Sequence, residues 1–173
     1  SRYFFELIST FSAHQEIELG LYLGYFINQY GLEKYRDKCF SYFGKKHEPI
    51  PKTARIFSLI NSVKLRSFGK KFNPDIYHPT YYGEHLKHIN AQRVLTVYDM
   101  IHEKLPEYFS IRDKTSYVKQ KVIGTADGII AISESTKRDL IEILNIPEEK
   151  IEVIYLANSL SKKGDNIFKQ INF

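Results

Sequence analysis

Tryptophan is absent from this chain and cysteine nearly so: Cys39 stands alone. No internal disulfide can form, and neither a second Cys nor a His lies near Cys39 at metal-ligand spacing. A lone cysteine fits a reducing, cytoplasmic setting. Long apolar runs are missing too. No stretch approaches the roughly 18–20 residues that span a bilayer, and the opening Ser1-Arg2-Tyr3-Phe4-Phe5-Glu6 sets charge inside its apolar stretch, unlike a secretory leader. Neither G-x-G-x-x-G nor G-x-x-x-x-G-K followed by Ser or Thr occurs, which argues against a dinucleotide or P-loop phosphate cradle. His78, His85 and His88 lie close together, but with no Cys or carboxylate at zinc spacing they do not read as a metal site.

What remains is an ordinary globular composition. At 173 residues, 43% hydrophobic and 26% charged, the chain is long enough for one domain with a real core. Its 13 Tyr and 12 Phe are accounted for mostly by an aromatic-rich core, although a Tyr hydroxyl also suits sugars. The net charge of +5 is unevenly placed. Between positions 45 and 71, Lys45, Lys46, Lys52, Arg55, Lys64, Arg66, Lys70 and Lys71 face only Glu48. On a helix that also carries Ile56, Leu59, Ile60 and Val63, this stripe suits anionic headgroups or phosphate-bearing substrates; a solvated helix face is the plainer alternative. No nucleic-acid-binding module surrounds it.

Periodicity predicts the elements. Phe4, Leu7, Ile8 and Phe11 open the chain on an amphipathic helix, and alternation from Ile17 to Leu23 is that of a strand. Residues 25–38 read as helical and 39–51 as loop with a short extended piece. Pro51 and Asn73-Pro74 bracket a helix over 52–71. A short strand at Asp75–His78 stops at Pro79, and Arg93–Val97 is a strand followed by a loop over 99–106. A helix over 113–125, a doubly buried parallel strand at Gly128–Ile132, a helix capped by Ser133 and ending near Asn145, and a strand at Ile151–Ile154 complete the pattern.

Strands alternating with helices predict a Rossmann-like parallel sheet with helices on both faces. Ligands in such sheets sit at the carboxyl ends of the strands. That rule brings His78-Pro79-Thr80-Tyr81-Tyr82, Tyr98-Asp99-Met100-Ile101-His102 and Ser133-Glu134 to one crevice. His78 can act there as a base or a hydrogen-bond partner of a hydroxyl, or only anchor a loop. Asp99 can orient a hydroxyl or cap a turn, and Ser133 can be only a helix cap.

Val94-Leu95-Thr96-Val97-Tyr98-Asp99-Met100-Ile101, Pro106-Glu107-Tyr108-Phe109, the run from Ala126 through Ile132-Ser133-Glu134-Ser135-Thr136-Lys137 to Leu140, and Lys150–Tyr155 resemble, in order and spacing, the N-terminal half of family 4 (group 1) glycosyltransferases. Residues 75–82 and 1–7 are similar to the earlier blocks of that family. The resemblance implies a GT-B fold, in which the domain seen here receives the acceptor and a second domain holds a nucleotide-diphosphate sugar. It also implies transfer of a hexosyl group with retention, no cofactor and no bound metal.

On this resemblance Tyr98, Asp99 and His102 are the catalytic candidates. His78, Thr80, Tyr81, Ser133 and Glu134 would contact the acceptor, and Arg2 would sit at the rim of the donor phosphates. Where the family has His-Asp this chain has Tyr98-Asp99, which leaves open whether Tyr98 or His102 serves in place of that imidazole. Residues 1–158 would form the acceptor domain and 159–173 the start of an interdomain linker, with the donor domain outside this chain and the chain inactive alone. The enzyme would be cytoplasmic, with the 52–71 helix resting on the inner face of a membrane. The rival reading is a Rossmann-like module that binds a glycan or partner in the same crevice without catalysis.

Overall fold

The computed structural model describes residues 2–27, 30–82 and 89–156. His85 and His88, the start of the linker and the last two residues of the expected domain therefore lie outside the described residues. Two parallel sheets carry the structure. The chain opens with α1 (Arg2–Phe11), then β1 (Gly20–Phe26), a 3-10 stretch over Leu32–Lys38, β2 (Ser41–Lys46), α2 (Ala54–Phe72) and β3 (Ile76–Tyr77). It continues through β4 (Gln92–Val97), α3 (Ile101–Lys104), a 3-10 turn at Pro106–Tyr108, α4 (Thr115–Ile123), β5 (Gly128–Ala131), α5 (Glu134–Leu144), a 3-10 turn at Glu148–Lys150 and β6 (Ile151–Val153). β1 pairs with β2, and the second sheet runs β3-β4-β5-β6, every pairing parallel.

Each sheet has its own core. Leu95, Val97, Ile129, Ala131 and Ile151 from the four-stranded sheet close against Val122 and Ile123 of α4 and Leu140 of α5. Leu21 of β1 packs with Ile8, Leu32 and Tyr35. The first helix ties the two together, because Phe4 lies edge-on to His78 after β3 while Phe5 meets Tyr35 below β1. Aromatic residues fill the layer between β1, β2 and α2, with Tyr22 stacked on Phe43 at 5.3 Å and tilted against Phe68 at 5.4 Å. Among the described residues no helix is long and apolar enough to cross a membrane.

Four expectations need correction. Residues 25–38 are not one helix: Tyr25 and Phe26 finish β1, and only Leu32–Lys38 turns, as a 3-10 stretch. The residue at fault is Gly24, which sits at φ +67° where the β1–β2 register shifts. That irregularity breaks the period of two and hides the last third of the strand. A Cβ at Gly24 would come within 2.7 Å of the Asn61 side chain, so the site demands glycine twice over. Ile17, expected in the strand, is 43% exposed outside it. Finally, the loop expected over 99–106 contains α3, a single helical turn with a pair of side chains behind it that sequence periodicity is too short to show.

The strand at 128–131 is buried on one face only. Ile129 and Ala131 are sealed, whereas Gly128 and Ile130 are half-buried.

Candidate functional site at the strand ends

The carboxyl ends of β3, β4 and β5 converge. His78 follows β3, and its Nε2 lies 2.9 Å from the hydroxyl of Thr96 in β4, which in turn lies 3.4 Å from the Tyr3 hydroxyl of α1. With Phe4 set edge-on at 5.1 Å, the imidazole is largely removed from water, and that burial pulls its pKa from the usual 6.5 to about 4. His78 is therefore neutral at pH 7. A neutral ring keeps one donor and one acceptor.

Tyr98, one residue past β4, sits edge-on to Tyr3 at 6.1 Å. Its carbonyl accepts a bond from the Thr136 hydroxyl of α5 at 3.3 Å, so the ends of β4 and β5 are tied at this point. Ser133 caps α5, with its hydroxyl accepting from the Thr136 N–H at 3.1 Å. The cap occupies its oxygen, and Ser133→Ala should cost about 1 kcal/mol of stability, read as a lower urea midpoint, with Ser133→Asp recovering most of it. Glu134 is exposed in the first turn, on the positive end of the helix dipole.

Asp99 is half-exposed, and its Oδ1 accepts from the Ile101 N–H at 3.1 Å. The side chain thereby starts α3. Beneath it lies a group that sequence reasoning missed. Lys119 of α4 is 2% exposed, and its ammonium donates to the Asp99 carbonyl and to Glu103 Oε2, both at 2.7 Å. Asp99 Oδ1 stands 3.8 Å away. The signal was available: Lys119, Val122, Ile123 and Ala126 fall at i, i+3, i+4 and i+7, and a lysine on an apolar face implies a buried counter-charge.

The other sequence candidates are placed apart from this knot. His102 stacks on Phe109 at 3.8 Å and faces Asp113 at 3.6 Å, on the α3–α4 side. Thr80 and Tyr81 are exposed past β3, with Tyr81 against Tyr82 at 5.3 Å. Arg2 lies at the start of α1, 3.7 Å from Glu6. The structure therefore gathers His78, Tyr98, Asp99 and Ser133 around the ends of three parallel strands, joined by Thr96, Tyr3 and Thr136.

An α/β chain of parallel strands with polar side chains gathered at their carboxyl ends is an architecture shared by several enzyme classes. Residues 24–159 match the model of Glycosyltransferase Family 4, and the chain belongs to that family. A glycosyltransferase from Rickettsia africae ESF-5, known from its crystal structure, is 25% identical, with the match covering 72% of this chain and 32% of that one at a TM-score of 0.41. The chain thus spans about a third of the length of that relative. No curated protein matches it.

Proposed function

We propose that this chain is the acceptor-binding half of a retaining hexosyltransferase, which moves a sugar from a nucleotide diphosphate onto a glycan or lipid-linked glycan. In that reading residues 1–158 form the acceptor domain, and 159–173 lead to a second domain that holds the donor. The bond from the anomeric carbon to the diphosphate oxygen breaks, a bond to an acceptor hydroxyl oxygen forms on the same face of the sugar, and the hydroxyl proton passes to the departing diphosphate. Neither metal nor cofactor takes part. The departing diphosphate is met by helix N-termini and cations, with Arg2 at the rim.

The observation that supports this reading best is the convergence of His78, Tyr98 and Asp99 on one crevice. His78, neutral at pH 7, hydrogen-bonds an acceptor hydroxyl; Asp99 orients a second one with its outer oxygen; the phenol of Tyr98 adds a donor. The enzyme works in the cytoplasm, peripheral on the inner face of a membrane, with α2 resting its basic side on anionic headgroups.

The test is sugar transfer by the full-length protein, screened with UDP-glucose, UDP-galactose, UDP-N-acetylglucosamine and GDP-mannose. His78→Gln and Asp99→Asn should each lower transfer well over tenfold while the melting temperature stays within a few degrees of wild type, since both keep a hydrogen-bonding side chain of similar size. Full activity in both variants would remove these residues from the reaction.

A further inference from the structure

The hydrogen bonds behind His78 form a chain with a readable direction. Thr96 of β4 is 4% exposed, and its hydroxyl stands between His78 Nε2 at 2.9 Å and the Tyr3 phenol of α1 at 3.4 Å. Those two are its side-chain partners among the described residues. A hydroxyl brings one proton and two lone pairs, so Thr96 donates to one neighbour and must be donated to by the other. Its pair with Tyr3 has the geometry of Thr96 donating and the phenol oxygen accepting. With the Thr96 proton spent there, the contact with His78 is a hydrogen bond when Nε2 carries the ring hydrogen.

The opposite arrangement loses on two counts. With the hydrogen on Nδ1, Thr96 has to turn its proton to Nε2 and give up Tyr3, so one bond replaces two. The Nδ1–H then also needs an acceptor, and among the described residues none stands beside it. An orphaned donor away from water is costly and rare, whereas a spare lone pair is better tolerated.

Both ends of the chain are held by the first turn of α1. Phe4 lies edge-on to the imidazole at 5.1 Å and 72°, which fixes the plane of the ring, and Tyr3 lies edge-on to Tyr98 at 6.1 Å. Burial keeps the ring neutral at pH 7 by drawing its pKa to about 4. It therefore has a single hydrogen to place. Once that hydrogen is given to Thr96, the other nitrogen can receive a hydrogen bond and can give none.

We infer that Tyr3 and Thr96 are positioning residues that lock His78 as the Nε2–H tautomer, so that His78 meets its ligand through Nδ1 as an obligate hydrogen-bond acceptor. The identity of that ligand rests on the glycosyltransferase reading: Nδ1 accepts from a free hydroxyl of the acceptor sugar beside the one that attacks. A group with no hydrogen to give, such as an ether, a carboxylate or a phosphate oxygen, gains nothing at this nitrogen. The lock thus makes His78 a selector for an unsubstituted hydroxyl.

Nitrogen NMR on the full-length protein with isotope-labelled histidine tests the lock without any sugar transfer, because protonated and bare ring nitrogens resonate far apart. The signals that vanish in His78→Gln belong to this ring. At pH 7 wild type should show Nε2 protonated and Nδ1 bare. Tyr3→Phe removes the acceptor of the Thr96 proton, which then turns to Nε2, so the Nδ1–H form should appear where wild type shows none. Thr96→Val should mix the two forms, and Thr96→Ser should restore the wild-type signals. Melting temperatures of Tyr3→Phe and Thr96→Ser should stay within a few degrees of wild type. In sugar transfer, Tyr3→Phe should raise the KM for the acceptor about fivefold, the worth of one ordinary hydrogen bond, and leave the KM for the donor unchanged, a split that lost stability does not produce. An Nδ1–H ring in wild type overturns the proposal, as does a tautomer unmoved in both Tyr3→Phe and Thr96→Val, or a shifted tautomer with an unchanged acceptor KM. The two readings fail separately: transfer by a wild-type protein with the Nδ1–H ring removes the lock and keeps the glycosyltransferase, whereas the expected tautomer with no transfer from any donor keeps the lock and removes the glycosyltransferase.

Discussion

Replacing Lys119 with methionine should destabilise the fold by about 3–5 kcal/mol, because it strands a buried carboxylate. The Glu103 side chain is 1% exposed, its Oε1 already has no hydrogen-bond partner, and its Oε2 depends on the Lys119 ammonium at 2.7 Å. Removing the cation leaves both oxygens unpaired away from water. Substituting both members, Lys119→Met with Glu103→Leu, should recover most of the loss, since an apolar pair of similar volume needs no counter-charge. Urea denaturation of the four proteins, wild type, two singles and the double, forms a cycle that measures the coupling. A Lys119→Met midpoint equal to wild type would mean that the ion pair contributes no net stability. The double variant also isolates a second role of Lys119, the bond to the Asp99 carbonyl at 2.7 Å. If that bond holds the loop bearing Asp99 in place, the double variant of the full-length protein should be stable yet slow in transfer.

How much of this was legible beforehand depends on the length of the signal. The helix from Ser133 to Asn145 announced itself through a cap, an acidic first turn and an apolar period, and it spans Glu134–Leu144 with Asn145 in the left-handed conformation. The strands read at Arg93–Val97 and Gly128–Ile132 from their apolar runs span Gln92–Val97 and Gly128–Ala131 and pair in parallel. Where an irregularity carried the structure, reading failed: one left-handed glycine in β1 turned a strand into an apparent helix, and a four-residue α3 was too short to show a period. The rule about strand ends put His78, Tyr98, Asp99 and Ser133 side by side without any catalytic motif, and the structure places them at the ends of β3, β4 and β5. Tyr3 and Thr96 could not be placed that way. Thr96 meets His78 18 residues away and Tyr3 93 residues away, and only packing of α1 across the sheets creates the second contact. Lys119 and Glu103 belong to a third kind, locally anomalous residues whose meaning lies in each other.

Acid should weaken this fold through His78 before general carboxylate protonation begins. The imidazole is neutral when folded, and burial holds its pKa near 4 against an ordinary 6.5. Below pH about 6.5 the unfolded chain takes up a proton that the folded one refuses until about pH 4. The unfolded state therefore binds more protons in that window, and stability, whole above it, falls as the pH drops through it. The difference amounts to roughly 3 kcal/mol for a sealed ring and about 2 kcal/mol once its partial exposure is discounted. His78→Gln keeps a partner for the Thr96 hydroxyl but has no proton to take. Urea midpoints of both proteins should lie close together at pH 7.0 and separate through pH 6.0, 5.0 and 4.5, wild type falling below His78→Gln, because only wild type loses this contribution. Parallel curves would place the acid sensitivity elsewhere and would mean that His78 opens to water in solution, a state in which its imidazole would titrate near neutrality and the pH dependence of sugar transfer would follow it.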